Sequence, residues 1–304
     1  MLRLAALQAL ILLGLAHHSP AQDSRVELKL CWQPGMTYIQ ESDTETTNGL
    51  TALGKTTDQK LRLHQITSIK AGKNPSSGHT EAKVTIEALL GEMTYEGKSH
   101  VFDSRNPASS SPQLQQTLGG AAGKSFTLVY DDKGSFLDAK DTASMVTGGI
   151  EPDLASIATA RQLATLYRRS LEMGLPQIPV LPGDKWITDE IIPFAQAGNV
   201  QVKLNSKFDG IVDREGYRQA QISFEGIMKS KRDKDSNGLE LDTDRPVTLG
   251  DNSKVNGHVF FDLERKTVSL AVFNASIQLK VEGKTMPVKQ QVTTRLVSMK
   301  PTAP

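Results

Sequence analysis

Beyond residue 26 the apolar positions recur with a period of two. Val84, Ile86 and Ala88 alternate with Lys83, Thr85 and Glu87, and Ile222, Phe224 and Met228 stand among Gln221, Ser223 and Glu225 in the same way. A strand sends successive side chains to opposite faces, so this alternation predicts half-buried strands. Similar runs cover 58–70, 125–131, 199–212, 255–263, 267–282 and 285–298. Asp131–Gly134, Asp213–Gly216 and Glu282–Lys284 place turn residues between such runs. Joints this short force antiparallel pairing, because a parallel crossover needs about a dozen residues or more. Within 267–282 the phase slips. Val268, Leu270 and Val272 point inward at even positions, whereas Ile277, Leu279 and Val281 do so at odd ones, which predicts a β-bulge near Phe273–Ala275.

One segment keeps a different period. Leu154, Ile157, Ala158, Ala164, Tyr167 and Leu171 recur at three- and four-residue spacing after Pro152, and Gly174 and Pro176 end the pattern. This predicts a long amphipathic helix near 153–173. Ser104–Gly123 reads as a loop with a short helix at Gln113–Leu118. The β segments also repeat. Ala82–Leu89 matches Ala220–Ile227, Pro34–Tyr38 matches Pro182–Trp186, Phe102–Ser104 matches Leu241–Thr243, and Leu128–Asp131 matches Val259–Asp262, all in the same order. The expected fold is therefore mainly β (α+β): two repeated curved antiparallel sheets, 22–150 and 176–304, joined by a helix within 151–175.

The first residues read as an address. Arg3 precedes an unbroken apolar run from Leu4 to Ala16, and Ser19 and Ala21 sit as in a small-residue cleavage site. This is the pattern of a secretory signal peptide over 1–21, and the run is too short to span a bilayer comfortably. An exported chain, periplasmic or extracellular and soluble after cleavage, is the expectation. Across 304 residues, 35 Lys and Arg balance 34 Asp and Glu, which excludes nucleic-acid binding through a broad basic surface. The single Cys excludes a disulfide framework and a thiolate metal cluster.

With its leader, its Pro34-Gly35-x-x-Tyr38 opening and its late strand Phe126–Asp131 ending at Gly134, the chain resembles a family of exported bacterial proteins common in planctomycete-type genomes. That family has no assigned activity, so the resemblance implies an exported β-rich fold and no site residues. The architecture is also loosely similar to periplasmic lipoprotein-carrier folds, a likeness that does not fix function.

Candidate chemistry is sparse. Gly119–Ser125 has three residues between its outer glycines where a phosphate loop needs four, and it leads into a strand, so it reads as a turn. Asp233, Asp235 and Asn237 with Gly238 and Asp244 reproduce calcium-loop spacing, but Glu240 stands where an apolar residue normally pins the loop and no helices flank it; an acidic hairpin loop is the plainer reading. Cys31, beside Trp32, is expected to be a small buried hydrophobe rather than a reactive thiol. His64, His79, His100 and His258 lack helical metal-pair spacing, and no H-E-x-x-H or G-x-S-x-G is present. No catalytic, cofactor-binding or metal-ligating residue is assigned and no cofactor is implied. The leading expectation is a non-catalytic exported protein that holds a hydrophobic or extended ligand on a curved sheet, its partner a small apolar ligand. An envelope interaction module that docks an envelope protein, and a hydrolase with a dispersed site, are the alternatives.

Overall fold

The computed structural model describes residues 25–302 except 53–54, 96, 142–159, 195–197, 232–246, 251 and 282–283. In chain order the strands are β1 Met36–Ala52, β2 Lys55–Lys73, β3 Thr80–Tyr95, β4 Lys98–Asp103, β5 Ser125–Tyr130 and β6 Phe136–Lys140. They continue as β7 Lys185–Phe194, β8 Gly198–Arg214, β9 Tyr217–Lys231, β10 Val247–Leu249, β11 Lys254–Asp262, β12 Thr267–Val281 and β13 Lys284–Pro301. Helix α1 is Pro112–Leu118 and helix α2 is Ala160–Glu172.

All of these strands belong to one sheet, in the order β6-β5-β3-β2-β1-β13-β12-β11-β9-β8-β7, with β4 added to β3 and β10 to β12. Every pairing is antiparallel, as the short turns require. This corrects the expectation of two sheets joined by a long helix. The last strand decides it: β13 pairs along one edge with β1 and along the other with β12. Two rows of backbone groups that separate sheets would leave as open edges are thereby satisfied. Helix α2 is 13 residues long, ends two residues before the predicted stop at Gly174, and lies on this single sheet rather than between two. The rest of the predicted helix, 153–159, lies outside the described residues.

The sheet curls. Laid flat, its eleven-strand path would hold β6 and β7 roughly 48 Å apart, taking ~4.8 Å per strand. Yet neighbouring residues of α2 touch both edges. The Arg168 guanidinium stacks 4.7 Å from the Phe136 ring of β6, while Arg169 donates to the Ile191 carbonyl of β7 and lies 3.5 Å from Glu190. Bulges bend the strands towards this closure. Ser269 is the extra residue of β12 opposite Phe260–Phe261, so the bulge lies ahead of the predicted Phe273–Ala275. From there Ala271, Phe273, Ala275 and Ile277 face the core, and Leu270 and Val272 belong to the other face.

Two cores fill the inside of the curl. One gathers Phe208, Ile222, Phe261 and Leu28; the other gathers Tyr38, Ile69, Leu128, Leu30 and Trp32, with Ala164 and Leu171 of α2. The extended segment 25–33 reaches both. Its Val26 exchanges backbone bonds with Val180, its Cys31 amide donates to Lys266, and Leu28, Leu30 and Trp32 are buried in turn. Alternation therefore turns Cys31 outward, and the thiol is exposed, contrary to the expected burial.

Each half of the chain repeats certain local devices. Gly35 and Gly183 both have positive φ and donate to strand carbonyls, those of Ala71 and Phe208. Asp131 and Asp262 each accept two backbone amides in the turn that follows β5 or β11. The lateral order β6-β5-β3-β2-β1 is matched by β12-β11-β9-β8-β7 on the far side of β13.

Candidate functional site

The interior that was expected to offer a groove is occupied by the chain itself, through Leu28, Leu30, Trp32 and α2. A hollow of about 680 Å³ lies elsewhere, over β13, β1, β2, β3 and β4. Tyr38 and Ile69 face the core, so by alternation Asp43, Glu45, Arg62 and His64 stand on the opposite face.

The register aligns the site in two rows. In the first, Thr293, Asp43, His64, Leu90 and Asp103 are successive cross-strand partners. In the second, the partners are Gln291, Glu45, Arg62, Glu92 and Val101. All ten line the hollow. Leu90 and the half-exposed Val101 of these rows supply carbon surface, Leu63 and Phe102 from the positions between also line the hollow, and the carboxylates stand around it.

Directly opposed charges on neighbouring strands pair. Glu45 receives Lys60 at 2.8 Å and Arg62 at 3.0 Å, and these two cations hold its carboxyl below the ordinary carboxylate range. The Arg62 guanidinium lies 3.9 Å from Glu92 on its other side. In the first row, His64 Nδ1 and Asp43 Oδ1 are 2.8 Å apart. Asp103 accepts the Arg105 amide at 2.9 Å and lies 3.6 Å from its side chain. The lining thus sets four carboxylates against Arg62 and one imidazole. An oxyanion developing here would meet mostly negative charge, which argues against acyl transfer assisted by the Asp43–His64 pair.

A second hollow of about 420 Å³ adjoins the first, sharing Glu45 and Gln291. Lys254, Asn256, Asn274, Ser276 and Lys289 line it, so the trough runs across the same face towards β11. No group of three or more His, Cys, Asp or Glu among the described residues could hold a metal.

Of the residues weighed from sequence, only His64 falls in this site. His258 lies on β11 with its ring 5.6 Å from Phe260. In the glycine-rich segment Gly119 closes α1 and Gly123 bonds back to Ile86 ahead of β5, an ordinary turn. The Asp233–Asp244 loop lies outside the described residues. The carboxylates at 43, 45, 92 and 103 carry no motif that marks them in the sequence. On β1 charge at every second position, Glu41, Asp43 and Glu45, is a pattern shared by any solvated face, and Glu92 and Asp103 stand in no charge period of their strands.

No known family matches the sequence, nor does any curated protein. Similar solved structures include lipovitellin, studied for its lipid–protein interactions, with a TM-score of 0.47 at 10% identity, covering 90% of this chain and 26% of that one. The chain thus spans about a quarter of the lipovitellin chain it matches. A protein of YmcC-like fold from Bacteroides fragilis matches with a TM-score of 0.26 at 10% identity, over 91% of this chain and all of that one. The COG4313 outer-membrane channel of Pseudomonas putida matches at 0.25 and 7%, over 88% and 97%.

Proposed function

We propose that the protein is an exported, non-catalytic binding protein that holds a ligand with an apolar body in the trough over β13, β1, β2, β3 and β4. The observation that carries this reading is the 680 Å³ hollow, whose size is that of a small-molecule site and whose Leu90 and Val101 surface is ringed by polar groups. Its continuation into the second hollow suits an elongated ligand. Export is supported by the leader pattern of Arg3, Leu4–Ala16 and Ala21. Among the described residues no helix is long and apolar enough to cross a membrane. The paired glycine turns, the paired Asp131 and Asp262 turns and the shared strand order support a tandem duplication of 22–150 and 176–304 with α2 between.

Titration with an environment-sensitive apolar dye tests the reading. Binding is expected in the micromolar range, and Val101→Arg, at a half-exposed position where folding tolerates change, should weaken it about tenfold by placing a charge on the apolar surface. Absence of dye or acyl-chain binding to the intact protein overturns it.

A further inference from the structure

The charges of the trough are unevenly distributed, and their distribution selects a class of ligand. In the second row Arg62 stands between Glu45 and Glu92, and Lys60, which lies outside the hollow, also reaches Glu45. The first row has no such balance. Among the described residues Asp43 is paired with the His64 ring, and Asp103 with Arg105, whose side chain is largely exposed and lies outside the hollow. Between them stands Leu90, the apolar member of the row. Carboxylates therefore border the carbon surface on both sides. Towards β11 the sign reverses, because Lys254 and Lys289 line the second hollow with Glu45 as its only carboxylate.

We propose that the occupant of the first hollow is a cationic amphiphile, an alkyl chain or apolar ring system bearing an ammonium group. This rests on the reading of the hollow as a ligand site and adds the charge of what enters it. The apolar part covers Leu90 and Val101, removing their surface from water. The ammonium lies against Asp43 or Asp103, which stand at opposite ends of the row, three strand spacings or ~14 Å apart. An anionic head at either place would meet a carboxylate, and Arg62, which also lines the hollow, is already engaged by Glu45 and Glu92. The site is open to solvent, so the selection is of moderate size and is weakened by salt.

Matched dodecyl probes below their micellar concentrations test this: dodecyltrimethylammonium, the neutral dodecyl maltoside and dodecyl sulfate, each titrated calorimetrically at low and high salt. The cation is expected to bind about 5- to 10-fold more tightly than the neutral probe at low salt, with the advantage falling below about twofold at 0.5 M salt. In the Asp43→Asn/Asp103→Asn protein the cation should fall to the affinity of the neutral probe. Asparagine keeps the acceptor that holds the Arg105 amide and an acceptor for His64, so the substitutions remove charge with little change of shape. Equal binding of cationic and neutral probes, or preference for the sulfate, overturns the proposal while the ligand site stands. Failure of all three to bind overturns the ligand site itself. The salt dependence of the unaltered protein decides the matter even if the double variant does not fold.

Discussion

Two aspartates in equivalent turns show how burial sets the worth of one residue. Asp262 is fully buried and accepts the amides of Glu264 and Arg265 and the Arg265 side chain at 2.6 Å, while that guanidinium stacks 3.8 Å from the Tyr217 ring. Asp262→Ala leaves these donors and a nearly buried cation without their acceptor, so a loss of about 2–4 kcal/mol in denaturant unfolding is expected. Asp131 makes the same kind of turn in solvent, and its amide bonds from Ser135 and Lys133 hold its carboxyl below the ordinary range. A depressed folded value means that its contribution is present above the unfolded value and is lost as pH falls through the folded one. Asp131→Asn should therefore flatten the acid limb of the stability curve slightly. Cys31 offers a simpler measurement: the native thiol should react with a soluble maleimide at close to the rate of a free thiol, because Leu30 and Trp32 take the inward positions on either side.

Among the elements, α2 and the segment 25–33 do what hydrogen-bonded strands do elsewhere in the sheet. They join edges that do not pair. Leu28 enters one core and Trp32 the other, where it packs edge-on against Tyr38 at 4.9 Å. Trp32→Ala should cost about 3–5 kcal/mol, seen as a lowered thermal midpoint. On α2, Glu172 is paired with Arg168 at 2.6 Å, yet burial raises its carboxyl above the ordinary range and Glu190 adds to the rise. An acid whose folded value is raised binds its proton more readily in the native state, so stability declines as pH climbs from the unfolded value through the folded one. Glu172→Gln keeps an acceptor for Arg168 and removes that charge. Its unfolding free energy should match or exceed the parent's at pH 7, and the difference should vanish near pH 4.

For the whole molecule, the single sheet makes the two halves one cooperative unit. β13 holds β1 and β12 together by backbone bonds along most of its length, so removing 284–304 exposes two long edges at once. The truncated protein is expected to aggregate rather than to leave one half folded. In the full chain, one transition should be reported alike by near-ultraviolet and far-ultraviolet circular dichroism. The trough belongs to this scale too, since its lining comes from five strands that include the first and the last long strands of the chain.

Alternation along the chain was enough to mark β2, β3, β5, β8, β9, β11, β12 and β13, because each presents one apolar face and one polar face to unlike surroundings. The turn aspartates and glycines were equally plain, being dictated by local backbone geometry. β1 left no such trace. It is central, yet it carries Gln40, Ser42, Thr44 and Thr46 on its inner face, with Gln40 buried against the Tyr167 hydroxyl, so no apolar period announced it. Nor could the pattern show that β13 returns to β1, that α2 spans the edges, or that the chain fills its own concavity. Period-two signals say which way a side chain points and are silent about which strand lies beside it. The facing of Asp43, His64 and Asp103 on one row arises only from that lateral order, and the charge of the trough with it.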